Sequence, residues 1–202
     1  MIKVIKLNKT FDGKCVLRDF DITFPNEGFI ALCGPSGCGK TTLLNLISGL
    51  VKGDSGEIVF DSPNPKISMS FQEARLLPER NAVQNVNIVL GDKKATIDQS
   101  RSILEQLGIS DPSAYPEELS GGMKARVGIA RALAVKADIY LFDEPFANLD
   151  EETARLVFNV IKKHTHGKLC LTVMHDRQLA FQLADSVIDF GEAPIIGYST
   201  AK

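Results

Sequence analysis

The sequence predicts an α/β fold: a mostly parallel sheet with helices on both faces, an antiparallel β unit at its start and a helical lobe inserted midway. Three observations predict it. Short, continuous apolar runs at 29–33, 139–142 and 169–174 alternate with stretches of helical spacing, as expected for strands buried on both faces. Residues 2–7 and 16–24 instead alternate apolar with polar, around an Asp12-Gly13 turn signal, as half-buried antiparallel strands do. From Glu73 to about Ala134 the strand pattern gives way to helices broken at Pro78, Pro112 and Pro116.

Taken in order, strands are expected at 2–7, 16–24, 29–33, 58–60 and 67–71, with a helix at 43–50 closing at Gly49 and Gly53. Helices follow at 83–90, 97–107 and 123–134, then a strand at 139–142, a helix at 151–163 and the apolar run at 169–174. A helix at 178–184 and a strand at 186–190 complete the series. The expected organisation is a single domain, with sheet core and antiparallel β part in 1–72 and 135–202, and the helical subdomain in 73–134.

Composition narrows the function. Of 202 residues, 44% are hydrophobic and 24% charged, a foldable mixture that excludes a disordered or fibrous chain. Lys plus Arg number 23 against 25 Asp plus Glu, so no basic excess points to nucleic acid or an anionic membrane surface. No apolar run approaches the ~20 residues of a bilayer span, and the N-terminus alternates where a signal peptide would be continuously apolar. A cytoplasmic chain is expected. Its cysteines (Cys15, Cys33, Cys38, Cys170) contain no C-x-x-C pair and read as reduced thiols. His164 and His166, beside Gly167, read as a solvated helix end.

The chemistry begins at Gly34-Pro35-Ser36-Gly37-Cys38-Gly39-Lys40-Thr41, which matches G-x-x-x-x-G-K-[ST] between an apolar strand and a helix. Glycines let successive backbone N–H groups converge on phosphate oxygens, and the helix N-terminus adds partial positive charge. Lys40 places an ammonium near the β- and γ-phosphates, Thr41 offers a hydroxyl to Mg²⁺, and Thr42 continues the helix start. ATP or GTP is the expected ligand, on a P-loop NTPase core. The run ending at Asp143-Glu144 is the partner element, delivering Asp143 to the metal and Glu144 to polarise a water. Cys38, among the loop's donors, is either a reactive thiol that bound nucleotide protects or a small loop filler.

A second anion site is written at Leu119-Ser120-Gly121-Gly122-Met123, where Ser120 caps a helix and two glycines leave N–H groups bare. One nucleotide does not need two such sites from one chain, whereas two chains arranged head to tail would use both.

With these motifs in place, the chain resembles the ATP-binding subunit of an ABC transporter. LSGGM is similar to the family signature LSGGQ, with Met123 in place of Gln. The resemblance implies that Phe11 stacks on adenine, unless it is an ordinary strand-end core residue. Gln72 corresponds to the glutamine that senses Mg²⁺ and water, or else is only a polar strand terminus. Ala147-Asn148-Leu149-Asp150 resembles the loop that crosses the dimer interface, with helix capping as the plain alternative for Asp150. His175 matches the switch histidine that reaches the γ-phosphate, against a purely structural role. The family's mechanism implies two copies sandwiching two MgATP, each between the Lys40 loop of one and the Ser120–Gly122 turn of the other.

The runs 72–78 and 115–124 are most similar to importers of nitrate, sulfonate, taurine and related small ions, although Glu79 and Ala125 depart from the Trp and Gln common there. That resemblance implies transmembrane permease subunits, an external solute-binding protein and a peripheral position on the inner face of the membrane. With only a short stretch after His175, no C-terminal regulatory domain is expected. The competing expectation is the ATPase of a non-importing membrane complex, of the lipoprotein-release or cell-division kind.

Overall fold

A computed structural model of the chain describes residues 1–147 and 149–201. Strands β1 (Ile2–Phe11) and β2 (Lys14–Phe24) form a hairpin, and Asp12 and Gly13 at its tip have φ of 47° and 80°. Both central residues of a tight turn whose twist matches that of its strands need positive φ, which is why Asp-Gly stands there. After β3 (Gly28–Cys33) comes α1 (Lys40–Ile47), then β4 (Ser55–Phe60), which returns to pair antiparallel with β1. β5 (Ile67–Ser70) leads into the helical lobe of α2 (Ala82–Asn87), α3 (Ile97–Gln106) and α4 (Gly121–Ala134). The chain returns through β6 (Ile139–Asp143), α5 (Glu151–His164), β7 (Leu169–Val173), α6 (Arg177–Leu183), β8 (Ser186–Phe190) and β9 (Tyr198–Ala201).

Two sheets result. One is β2-β1-β4, antiparallel throughout; the other is β5-β6-β7-β3-β8-β9, parallel except at its last pair. Alternate residues of the parallel strands feed separate cores on opposite faces. Phe29, Ala31, Tyr140 and Phe142 join the core under α2–α5, while Ile30, Leu32, Leu141 and Leu171 join α1 and the first hairpin. This two-sided burial explains the uninterrupted apolar runs.

The strand and helix order follows the sequence expectation, with local differences. α1 runs Lys40–Ile47 where 43–50 is expected, because the helix starts directly on the glycine loop, and β4 begins at Ser55 where 58 is expected. Helix 83–90 is shorter: α2 stops at Asn87, a single 3₁₀ turn covers Ile88–Leu90, and Gly91 closes it at φ 82°. The first hairpin extends beyond 2–7 and 16–24, since hydrogen-bonded pairing carries polar residues as far as the turn. β9 has no counterpart in the sequence reading. Its residues are mostly polar and exposed, and its hydrogen bonds to β8 hold it as an edge strand. No helix among the described residues is long and apolar enough to cross a membrane.

Candidate functional site

The parallel strands all end at one edge of the sheet, where α/β folds place their ligands. β3 delivers the Gly34–Gly39 loop, β6 delivers Asp143 and Glu144, β7 leads to His175, and β5 leads to Gln72.

The loop is shaped by close approach. Gly39 has φ 120°, and a Cβ there would stand 2.7 Å from Val16 Cγ1. Pro35, Ser36 and Gly37 form the exposed crown; Cys38, Gly39 and Lys40 are buried beneath it. No side chain caps the first turn of α1, so its N–H groups remain available to an anion. Lys40 is only 4% exposed, and its ammonium donates to the carbonyls of Gly34 and Pro35, both at 2.8 Å, with Cys38 Sγ 3.7 Å away. The cation is thus held inside the loop by neutral acceptors that phosphate oxygens can replace with stronger, charge-assisted bonds.

Thr41 Oγ1 donates to Asp143 Oδ1 at 3.0 Å. Asp143 is 3% exposed, and its pKa is raised, first by burial, with the Thr41 hydrogen bond opposing and the Glu144 charge adding. A carboxylate and a hydroxyl at this separation are hard oxygen donors suited to a small divalent cation that also binds phosphate.

Glu144 is the centre of the arrangement. Its Oε2 accepts from Gln72 Nε2 at 3.0 Å, and its Oε1 lies 2.6 Å from His175 Nε2. With the carboxylate ionised, that imidazole nitrogen carries the hydrogen. Glu144 also has φ 54°, a left-handed conformation that costs a non-glycine residue on the order of 1–3 kcal/mol and concentrates at functional sites. The strain turns the side chain at the end of β6 toward Gln72 and His175, so that three residues distant in sequence meet at one carboxylate.

Phe11 ends β1 at 43% exposure, so it is not a core residue; Lys9 Nζ sits 4.9 Å from its ring centroid and is fixed by Asp54 at 2.7 Å. Ser120 Oγ accepts from Met123 N at 3.2 Å and caps α4, while Gly121 is exposed and a Cβ there would meet nothing. A Cβ on Gly122 would stand 3.3 Å from Leu149, which places this turn beside Asp150. Asp150 caps α5, accepting from Thr153 N at 2.9 Å and Thr153 Oγ1 at 2.8 Å, bonds that hold its pKa below the ordinary carboxylate value. Asn148 lies outside the described residues.

Lys40, Thr41, Gln72, Asp143, Glu144 and His175 are therefore brought together, whereas Ser120–Gly122 and Asp150 form a separate exposed surface. The sequence reading missed Arg177. It is paired with Asp189 and lines a groove of about 470 Å³ with Gly34, Pro35 and His175. A basic residue two positions after His175 was its only sequence signal.

A glycine loop between strand and helix, a buried lysine inside it and paired acids on a neighbouring parallel strand define a P-loop nucleotide-binding protein. The ABC transporter family model matches residues 17–147, and the chain belongs to that family; it is an ATP hydrolase of the ABC type. It is similar to "Aliphatic sulfonates import ATP-binding protein SsuB" of Zymomonas mobilis, 43% identical over 93% of this chain and 80% of that one. It is also similar to "Probable amino-acid ABC transporter ATP-binding protein" of Haemophilus influenzae, 35% identical over 100% of this chain and 88% of that one. Among solved structures, a dimeric post-hydrolysis state of the ATP-binding cassette MJ0796 bound to ADP and Pi superposes with a TM-score of 0.89 at 26% identity, covering 100% of this chain and 99% of that one.

Proposed function

We propose that this chain is the ATP-hydrolysing subunit of a membrane importer for a small organic or inorganic ion, working as a head-to-tail dimer. The observation that carries the catalytic part is the Glu144 carboxylate held between Gln72 and His175 beside the Asp143–Thr41 pair. The import reading is supported by the relatives named for import.

In this reading the Gly34–Gly39 backbone, Lys40 and Thr42 cradle the phosphates, and Phe11 offers its exposed ring to adenine. Thr41, Asp143 and the Gln72 amide oxygen hold Mg²⁺, which when bound neutralises charge on the phosphates. Glu144 orients the attacking water and takes its proton, and His175 keeps the carboxylate aimed and faces the γ-phosphate. Ser120, Gly121 and Gly122 of the second copy present a capped helix start to the same phosphate, and Asp150 stands at the seam. Attraction of both surfaces to the γ-phosphate makes closure depend on ATP, and hydrolysis opens the dimer. The chain serves as one domain, the sheet core of 1–72 and 135–202 carrying the helical subdomain of 73–134. Permease subunits hold it at the inner face of the membrane, and an external protein delivers the solute.

Affinity purification of the tagged full chain from membranes tests the membrane role. A multi-span permease together with a solute-binding protein is expected. A partner with a large extracytoplasmic domain and no solute-binding protein would replace import by the non-importing alternative.

A further inference from the structure

Arg131, near the C-terminal end of α4, takes no part in the cluster around Glu144, yet its guanidinium is partly buried, and burial holds its pKa below the ordinary value. Its partners are backbone carbonyls: Nη2 donates to Ala74 O and Nη1 to Arg75 O, the latter at 3.3 Å. These carbonyls lie two and three residues beyond Gln72. Arg75 has φ 44°, an uncommon conformation for a residue with a long side chain, and the chain turns there.

The same helix grips this stretch at two further points. One turn before Arg131, Gly128 packs so closely that a Cβ would come within 3.1 Å of Ala74 Cβ. One residue after it, the Ala132 carbonyl accepts from buried Ser68 Oγ at 2.8 Å. The far end of the connecting stretch is fastened to α2, where fully buried Asn85 accepts from Leu77 N and donates to the carbonyls of Leu77 and Arg80. α4 is therefore a rod with Ser120 at one end and the Gln72 segment bolted to the other, roughly 16 Å along the axis.

We propose that Arg131 is a positioning residue that fixes the Gln72 segment to α4 and so holds the Gln72 amide against Glu144. The guanidinium suits this task because one planar fork spans two successive carbonyls, which a lysine ammonium cannot match in geometry. The Ser120 end and the Gln72 segment are thereby parts of one unit joined through α4, without any direct bond between the two sites.

The inference rests on Gln72 acting in hydrolysis, and the experiment separates the two ideas. ATP hydrolysis by the full chain is measured for Arg131→Lys, Gln72→Ala and the double variant, with backbone hydrogen exchange over 73–77 as the second readout. For Arg131→Lys, kcat is expected to fall about tenfold with the ATP KM within about twofold, the pattern of a lost transition-state interaction. Exchange over 73–77 is expected to rise while that of α4 stays as in the wild type. In the Gln72→Ala background the same change should cost nothing further, since residues acting in series are not additive. A full additional loss in the double variant, or unchanged kcat and exchange in the single one, overturns the proposal. An unaffected Gln72→Ala removes the catalytic reading of Gln72 and the coupling with it.

A compensating pair covers the case in which Arg131→Lys does not fold. Gly128→Ala should lower kcat by pushing Ala74 away, and Ala74→Gly in the same chain should restore it to within about twofold. Failure of Ala74→Gly to restore activity also overturns the proposal.

Discussion

The two halves of the proposed nucleotide site are built differently. Around Lys40 and Glu144, side chains from four parallel strands are already tied to one another, and the cation and both acids are satisfied inside the chain. Around Ser120 and Asp150 the groups only cap their own helices, and Gly121 faces solvent. One half is a preassembled reaction centre, whose cost in burial and backbone strain is met within the fold. The other is a rigid surface whose donors gain a partner only when a second molecule brings a phosphate. In the proposed dimer, preorganising the chemical half while leaving the closing half exposed makes assembly, rather than rearrangement, the step that nucleotide controls.

Substitutions at the two halves should therefore fail in different ways. The largest effect belongs to Glu144→Gln, which keeps the shape but not the proton acceptor: turnover should fall about 10²–10⁴-fold, and size exclusion with saturating MgATP should show a persistent dimer. A monomer under those conditions would contradict the two-chain site. Lys40→Ala should weaken ATP about 10–100-fold by calorimetry, the loss of a charge-assisted contact in a buried loop, and unchanged affinity would remove the loop from the binding site. Ser120→Ala sharpens the contrast. Losing the cap should cost about 1 kcal/mol of stability, yet ATP binding to the monomer should stay as in the wild type and only dimer-dependent turnover should drop. A parallel loss of monomer affinity would merge the two halves.

On stability alone, Asp143 gives a small effect of the opposite sign. Its folded pKa is raised, so its ionised form opposes folding, and the stability it contributes is present below the unfolded carboxylate range and lost as pH rises through the folded value. Asp143→Asn should thus raise the melting temperature by roughly 2–4 °C at neutral pH while abolishing turnover. The gain should shrink as acid protonates the wild-type side chain. A gain that persists undiminished at low pH would assign it to packing instead of charge.

Much of this was legible in the chain. The apolar run before Gly34, the acids after Phe142 and the histidine after Met174 announce their places because a buried parallel strand and its C-terminal edge follow from short-range pattern. The exposure of Phe11 was open in the sequence, since an aromatic at a strand end is as often core as surface. Long-range geometry was not legible. The left-handed turn of Glu144, Lys9 above the Phe11 ring, the Arg131 grip on Ala74 and Arg75, and the polar edge strand β9 all depend on partners far away in sequence. Ser120 and Asp150 illustrate a different difficulty: their capping and interfacial meanings use the same atoms, and a single chain displays only the first.

The floor beneath Gly39 is laid by Val16 from the first hairpin and Ile195 from the link between β8 and β9, and backbone bonds from Ile195 N to Val16 O and from Arg18 N to Ile195 O lace the two together. A nascent chain consequently holds the whole glycine motif, and Val16 beneath it, before Ile195 arrives to complete the floor.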